Sequence, residues 1–252
     1  MNYTEKNNVM SKKNRIRIFS NEPLFEGLSY TPTEAQTHYL KNVMRLKSGD
    51  EVFLFDGKNG EFQGSVSDIK KNTMQIQINT KISKYEKSPD VWLLFAPVKK
   101  EQTDIIVQKA VELGVSKIIP IQTEYTMKTH IKYERVQTQI IEAAEQSRRT
   151  DLPEFSEIIG FEKILQNWPS GRKLIYMDET GSGNSFFAMF KKLQEPAALL
   201  IGPEGGFSKK ELEILKKLPY TQGISLGKRI LRAETAAIAA LSCWQAFCGD
   251  WR

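Results

Sequence analysis

The chain is nearly without cysteine and histidine, with two of each among 252 residues. Cys243 and Cys248 lie five apart in the last apolar segment, with no histidine nearby. That spacing fits neither a zinc site nor a disulfide framework. Both are expected to pack in a core, in a reducing compartment and with no metal. Long hydrophobic runs are missing as well: no stretch approaches the roughly 18 apolar residues of a membrane helix. No membrane partner is therefore expected. The N-terminus, MNYTEKNNVMSKKN, has no apolar h-region and does not read as a secretory signal. Residues 1–14 are expected to be a disordered tail, with Met10 an alternative start, and the protein is expected to be cytoplasmic. Charge of one sign does not dominate. The excess is +6, with 14 Lys+Arg against 11 Asp+Glu in residues 1–90 and 22 against 19 in the remainder. An acidic partner such as nucleic acid is allowed by that balance but not demanded. The one dense basic cluster, SKKNRIR (11–17), is either a solvated tail or an RNA contact.

Two textures divide what is present. Residues 15–82 alternate in short β-type runs (RIRIFS, EVFLFDG, GEFQGSVSDI, TMQIQINTKI) separated by turn signals, the pattern of a small β-barrel or sandwich. One helix interrupts them. TPTEAQTHYLKNVMRL (31–46) places Ala35, Tyr39, Val43 and Leu46 on one apolar face, extended by Leu40 and Met44, with Thr33 as N-cap. The polar segment 83–90 reads as a linker. From 91 to 252 strands alternate with helices, which predicts a parallel sheet covered on both faces. NSFFAMFKKL (184–193) is expected to be one of the helices, and AETAAIAALSCWQAF (233–247) the last of them. Ligands of such sheets sit beyond the carboxyl ends of the strands. Two loops fall there, IGPEGGFS (201–208) and SLGKRILRAET (225–235).

The first loop fails the phosphate-site patterns. A P-loop needs a lysine after its last glycine, but Phe207 follows the paired glycines here. The dinucleotide fingerprint G-x-G-x-x-G is absent, and Glu204 would repel a pyrophosphate. Glycines let backbone approach a flat ring closely, and Glu204 is compatible with a positive centre. S-adenosylmethionine, with its adenine, ribose and sulfonium, meets these demands. Taken alone, the loop has a second reading as a tight turn, with Ser208 capping the next helix. In the second loop, the alanines of AAIAA predict close packing of a helix against neighbouring backbone. Glu234, in that helix's first turn, favours the helix dipole.

LLIGPEGGFSKKE followed by ISLGKRILRAETAAIAAL resembles the signature of SPOUT-class RNA methyltransferases, and more closely the family that methylates N3 of a uridine in 16S ribosomal RNA. HYLKNVMRLKSGDEVFLFDG, KKEQTDIIVQKAVELGVSKIIPIQT and EAAEQSRRTDLPEF are similar to further blocks of that family, so the resemblance runs over about residues 15–247. It implies a PUA-like β-barrel that binds RNA (15–82), a linker (83–90) and an α/β SPOUT methyltransferase domain with a parallel sheet and a trefoil knot (91–252). The chain would act as a homodimer on 16S ribosomal RNA within the small ribosomal subunit, with S-adenosylmethionine as donor and uridine 1498 as target. Carried onto matching positions, the donor pocket is Met177, Leu200, Ile201, Gly202, Gly205, Leu226, Gly227, Ile230, Leu231 and Arg232. Arg15, Arg17, Lys41, Arg45, Arg148 and Arg149 become candidates for RNA contact. His38, Glu142 and Gln146 are weaker candidates, the last two for RNA or cross-subunit contacts.

Methylation at N3 of uracil requires loss of the imide proton. Arg232 is the candidate to stabilise the resulting anion at O2 or O4, and Glu234 or Glu204 to accept the proton or orient a water. The arginine lowers the basicity of any carboxylate beside it, so the two roles belong on different groups. The competing readings are a SPOUT enzyme acting on another ribosomal or transfer RNA position, and a non-enzymatic RNA-binding assembly factor. A nucleotide hydrolase is disfavoured by the missing lysine.

Overall fold

Alternation of buried and exposed side chains shapes the N-terminal half. The computed structural model describes residues 15–127, 131–180, 184–185 and 196–251. It divides into two compact units, Met1–Tyr85 and Glu86–Arg252. The expected tail, 1–14, lies outside the described residues.

In the first unit, β1 (Arg17–Phe19), β2 (Ser29–Tyr30), β3 (Glu51–Phe55), β4 (Glu61–Ile69) and β5 (Met74–Ser83) form one sheet in the order β1-β3-β4-β5-β2. Only β1 and β3 run parallel. The β4–β5 register shifts in three places, and such bulges bend a strand and raise its twist. Gly64 lets the sheet curl, because a Cβ there would lie 2.7 Å from Ile76 Cγ2 and 2.9 Å from the Gln77 carbonyl oxygen. Ile18, Leu40, Val52, Leu54, Phe62, Val66, Met74, Ile76 and Ile78 fill the interior.

The helix predicted over 31–46 is shorter and turned differently. Thr33 and Gln36 make a reciprocal capping box at the start of α1 (Glu34–His38). The chain then widens into a π-helical turn over Tyr39–Val43. Thr37 and Leu40 are buried, whereas Ala35, Tyr39 and Val43 face solvent. Of the expected apolar face, Leu40 and Leu46 reach the core and Ala35, Tyr39 and Val43 do not. One cause is visible: Gln36, besides capping, donates to the Phe19 carbonyl at 2.6 Å, which fixes the helix rotation. Arg45, at φ 55°, ends the segment.

In the second unit β6 (Val91–Phe95), β7 (Lys117–Gln122), β8 (Glu154–Phe155), β10 (Lys173–Met177), β11 (Asn184–Ser185), β12 (Ala197–Ile201) and β13 (Thr221–Ser225) lie in the order β11-β13-β10-β12-β6-β7-β8, and β9 (Ile159–Gly160) also pairs with β7. Every pairing is parallel. All five residues of β12 are buried, as expected of a strand covered on both faces. The covering helices include α2 (Lys100–Glu112), α3 (Tyr133–Ser147), α4 (Phe161–Gln166), α5 (Lys209–Lys217) and α6 (Ala233–Phe247). Residues 184–185, expected to open a helix, form β11 instead; most of that expected helix lies outside the described residues. On α6, Ala233, Ala236, Ala237 and Ala240 are buried, and the helix packs on α2 as its alanines predict. Neither cysteine forms a disulfide, and Cys248 is buried.

The segment expected as a linker is anchored in part. Glu86 N–H donates to Thr150 Oγ1 at 3.0 Å, and Ser88 donates to Asp151 through both backbone and hydroxyl.

Two of the arginines proposed for RNA serve the fold. Arg17 is buried, bonds Glu61 at 2.6 Å and stacks 3.8 Å over the Phe55 ring. Arg149 is buried and donates to Asp151 Oδ1 at 3.0 Å, to the Val111 carbonyl at 2.9 Å and to the Val115 carbonyl at 3.0 Å. Both corrections share one reason: a buried guanidinium needs internal acceptors, and these two have them.

Burial opposes the charged form of Asp151, but bonds from Arg149 and Ser88 outweigh it and hold the carboxyl below its ordinary range. A lowered carboxylate pKa stabilises the fold above the unfolded value, near 3.9, and that contribution disappears as pH falls through the folded value. Arg149→Ala should cost about 3 kcal/mol at pH 7 in chemical denaturation. The gap to the wild type should narrow below about pH 4 as Asp151 takes up a proton.

Candidate active site

The sheet order brings the carboxyl ends of β12, β10 and β13 side by side, since β10 lies between the other two. The chain leaves each strand into a loop at the same edge, and the three loops enclose a cleft of about 710 Å³ that opens to solvent. β10 contributes Met177, Asp178 and Glu179 to the wall. From the β12 loop come Ile201, Gly202, Pro203, Glu204, Gly206 and Phe207. The β13 loop adds Ser225, Leu226, Gly227, Lys228, Arg229, Ile230 and Leu231, and α6 closes the cleft with Ala233 and Ala236.

The β12 loop is held in one shape by identifiable contacts. Gly206 N–H donates to the Pro203 carbonyl at 2.9 Å, closing a tight turn. Gly206 has φ +68°, where a side chain is strained, and a Cβ there would collide with the Glu179 carboxylate. A Cβ on Gly202 would come within 3.1 Å of the Phe207 ring, and Phe207 packs edge-on to Tyr176. Ser208 then caps α5 reciprocally with Glu211. Glu211 is buried and has a second task. One carboxylate oxygen accepts from Ser208 N–H and the other from Glu124 N–H, both at 2.9 Å. The β12 loop is thereby tied to the loop after β7, whose own turn is closed by Thr123 and Thr126. Tyr125 of that turn packs on Gly205 at 3.4 Å, measured from where a Cβ would be.

Charges in the cleft are sorted by wall. Asp178 and Glu179 follow β10 and Glu204 follows β12, whereas Lys228 and Arg229 stand on the β13 loop. Asp178 is buried and accepts from the Thr180 backbone and hydroxyl. Burial, with the Asp178 charge added, raises the pKa of the Tyr176 phenol above its usual range. Among the described residues no group of three His, Cys, Asp or Glu side chains could hold a metal ion.

Of the residues proposed for the donor pocket, Met177, Ile201, Gly202, Leu226, Gly227, Ile230 and Leu231 line this cleft. Three do not. Leu200 points into the core with Tyr176 and Phe207. Gly205 lies on the exposed outside of its turn, under Tyr125. Arg232 is the exposed N-cap of α6, between the lining residues Leu231 and Ala233. Glu204 lines the cleft from an exposed turn, and Glu234, in the first turn of α6, does not line it. Sequence reasoning missed Asp178 and Glu179, although both end the strand read as KLIYMDE and so fall at the ligand edge. Lys228 and Arg229 fall in the second loop, where no feature of the sequence distinguishes them.

The remaining RNA candidates differ in availability. Arg45 and Arg148 are exposed, and Arg148 is the left-handed C-cap of α3. Lys41 spends its ammonium on the Lys70 and Lys71 carbonyls. Arg15 lies 3.7 Å over the Phe53 ring and 3.6 Å from Glu61. His38, Glu142 and Gln146 are exposed.

Fold and cleft together define an RNA methyltransferase of the SPOUT class, with a PUA-like barrel preceding it in the sequence. The RNA methyltransferase domain family matches residues 86–245, and the RNA methyltransferase PUA domain family matches residues 32–79. A methyltransferase from Legionella pneumophila, solved in complex with the cofactor SAM, superposes with a TM-score of 0.85 at 31% identity, over 94% of this chain and 99% of that one. The ribosomal RNA small subunit methyltransferase E of Neisseria gonorrhoeae, solved bound to S-adenosyl methionine, gives a TM-score of 0.86 at 28% identity, over 95% and 100%. The ribosomal RNA small subunit methyltransferase E of Rickettsia conorii is 34% identical over 229 residues, 90% of this chain and 93% of the relative. The chain belongs to the ribosomal RNA small subunit methyltransferase E family.

Removing the Glu211 carboxylate leaves two backbone N–H groups without acceptors. Glu211→Ala should lower stability by about 1–3 kcal/mol. It should also raise amide hydrogen exchange at Glu124 and Ser208, and Glu211→Gln should restore part of both.

Proposed function

We propose that this protein transfers the methyl group of S-adenosylmethionine to N3 of a uridine in 16S ribosomal RNA, with position 1498 as the expected target. The observation that carries the reading is the cleft itself, built from the two loops that a donor pocket requires and from no phosphate-binding element. Gly202, Gly206 and Gly227 give close access to backbone, and Ile201, Leu226 and Leu231 offer apolar faces to an adenine. Carboxylates on one wall suit a cation. When bound, the donor supplies an electrophilic methyl on a positively charged sulfur.

In the transfer, the N3–H bond of uracil breaks, N3–CH3 forms and the sulfur–methyl bond breaks. The products are S-adenosylhomocysteine, N3-methyluridine and a proton. Arg232, exposed between the lining residues Leu231 and Ala233, is the candidate to stabilise negative charge at uracil O2 or O4. Glu204, facing the cleft, or Glu234, two residues beyond Arg232, takes the proton directly or through water. Extruding the uridine from its stack costs a few kcal/mol. Backbone contacts from exposed cations such as Arg45 and Arg148 offset that cost. Action as a homodimer, on RNA within the small subunit, completes the reading.

Mass-spectrometric mapping of 16S RNA from a strain lacking the gene tests substrate, base and atom together. The expected result is one N3-methyluridine that disappears on deletion and returns with the wild-type gene; a methyl lost from a ribose or another base would contradict it. Arg232→Ala should lower kcat about 10²–10³-fold while donor affinity, read by calorimetry, stays within about twofold; unchanged kcat would remove Arg232 from the mechanism. Arg45→Ala and Arg148→Ala should each flatten the dependence of log affinity on log salt by about one unit, whereas wild-type slopes in both would exclude them as phosphate contacts.

A further inference from the structure

Glu179 is a carboxylate in the cleft that has no role in the mechanism above. It follows β10 and lines the same cleft as Lys228 and Arg229, which stand on the loop after the neighbouring β13. Its carboxylate rests against the α-carbon of Gly206, which is buried and at φ +68°. A Cβ on Gly206 would overlap the carboxylate oxygen and push this exposed side chain aside. Among the described residues no cation lies within ion-pairing distance of Glu179 and none donates a hydrogen bond to it. Its neighbour Asp178 differs, since Thr180 occupies one of that carboxylate's oxygens. Glu204, exposed like Glu179, stands on the β12 turn rather than after β10. Among the described residues, the cleft therefore contains a carboxylate that lies beside the Gly206 backbone without a counter-ion.

We infer that Glu179 is the counter-charge for the sulfonium of the methyl donor, and that it sets the preference of the site for charged donor over neutral product. The inference rests on the donor reading of the cleft. The reaction converts a sulfonium into a thioether, so the attraction to Glu179 exists before transfer and is lost after it. An opposite charge within about 4 Å, in surroundings between water and protein, attracts strongly enough to matter. The neutral thioether gains nothing from the same carboxylate, so product leaves without opposing that attraction. Gly206 then has a functional reason beyond its turn, in that it admits the carboxylate to the wall.

The test is calorimetric titration of the full-length protein with three ligands. They are S-adenosylmethionine, the thioether product S-adenosylhomocysteine, and the analogue sinefungin, which carries an ammonium near the sulfonium position. In Glu179→Gln, which keeps size and shape, the two cations should bind about tenfold more weakly, equivalent to about 1.4 kcal/mol. The thioether should stay within about twofold, so the donor-to-product affinity ratio collapses. Glu179→Ala should give the same pattern, with thermal unfolding confirming that both variants fold. Equal weakening of all three ligands would overturn the inference, because Glu179 would then act on a part common to all three, such as the α-ammonium, or on loop shape. So would unchanged affinities, or a ratio that collapses in Glu204→Gln instead. If the wild type binds none of the three, the donor reading itself fails and this inference with it. Tight wild-type binding with an unaltered ratio in the variants sinks only the role of Glu179.

Discussion

Everything chemical in this protein depends on the parallel pairing of β10 with β12 on one side and β13 on the other. Parallel strands release their chains at the same edge, so three loops far apart in sequence meet there without any having to reach. The pairing is stable because β12 is buried along its whole length and β10 is buried over Leu174–Tyr176. A buried strand must satisfy its backbone through its neighbours, which fixes the register and hence the positions of Met177, Ile201 and Ser225 relative to one another. A slip by one residue would turn every side chain over and take the walls of the cleft apart.

Above that frame, small contacts rather than the strands set the shape of the site. Glu211 serves two loops with one carboxylate, Phe207 fills the space beside Gly202, and Gly206 yields its side-chain volume to Glu179. Contacts within the chain thus arrange the glycines, apolar patches and carboxylates of the cleft. Preorganisation of this kind lowers the cost of ordering a ligand and its surroundings.

Much of this was legible in the sequence, and the failures have physical causes. The change from alternating runs to strand–helix repeats is a difference in periodicity, and it separated barrel from sheet without knowledge of any contact. The GPEGG and LGKRIL loops could be placed at the ligand edge because parallel sheets bind there. Residue-level assignment was weaker wherever tertiary packing decided the outcome. Arg17 and Arg149 look in sequence like Arg45 and Arg148, and only the location of acceptors separates them: Glu61 for one, the Val111 and Val115 carbonyls for the other. The apolar spacing of Ala35, Tyr39 and Val43 is a good helical face, yet Gln36 and the π-turn rotate it to solvent. Leu200 illustrates the alternation of a strand, since its neighbour Ile201 reaches the cleft and Leu200 itself turns to the core. Glu179 was overlooked because nothing in a sequence reveals that a carboxylate will rest on a glycine 27 positions further along.

The central claim is that this cleft holds the methyl donor, and blocking it tests that claim most directly. Ala236 lines the cleft and is almost fully buried, so a leucine in its place projects added volume into the donor space. Equilibrium dialysis against radiolabelled S-adenosylmethionine should find one donor bound per wild-type chain. It should find none, at the same concentration, in a folded Ala236→Leu variant whose helical signal matches the wild type. Equal binding by the folded variant, or no binding by the wild type, would contradict the account.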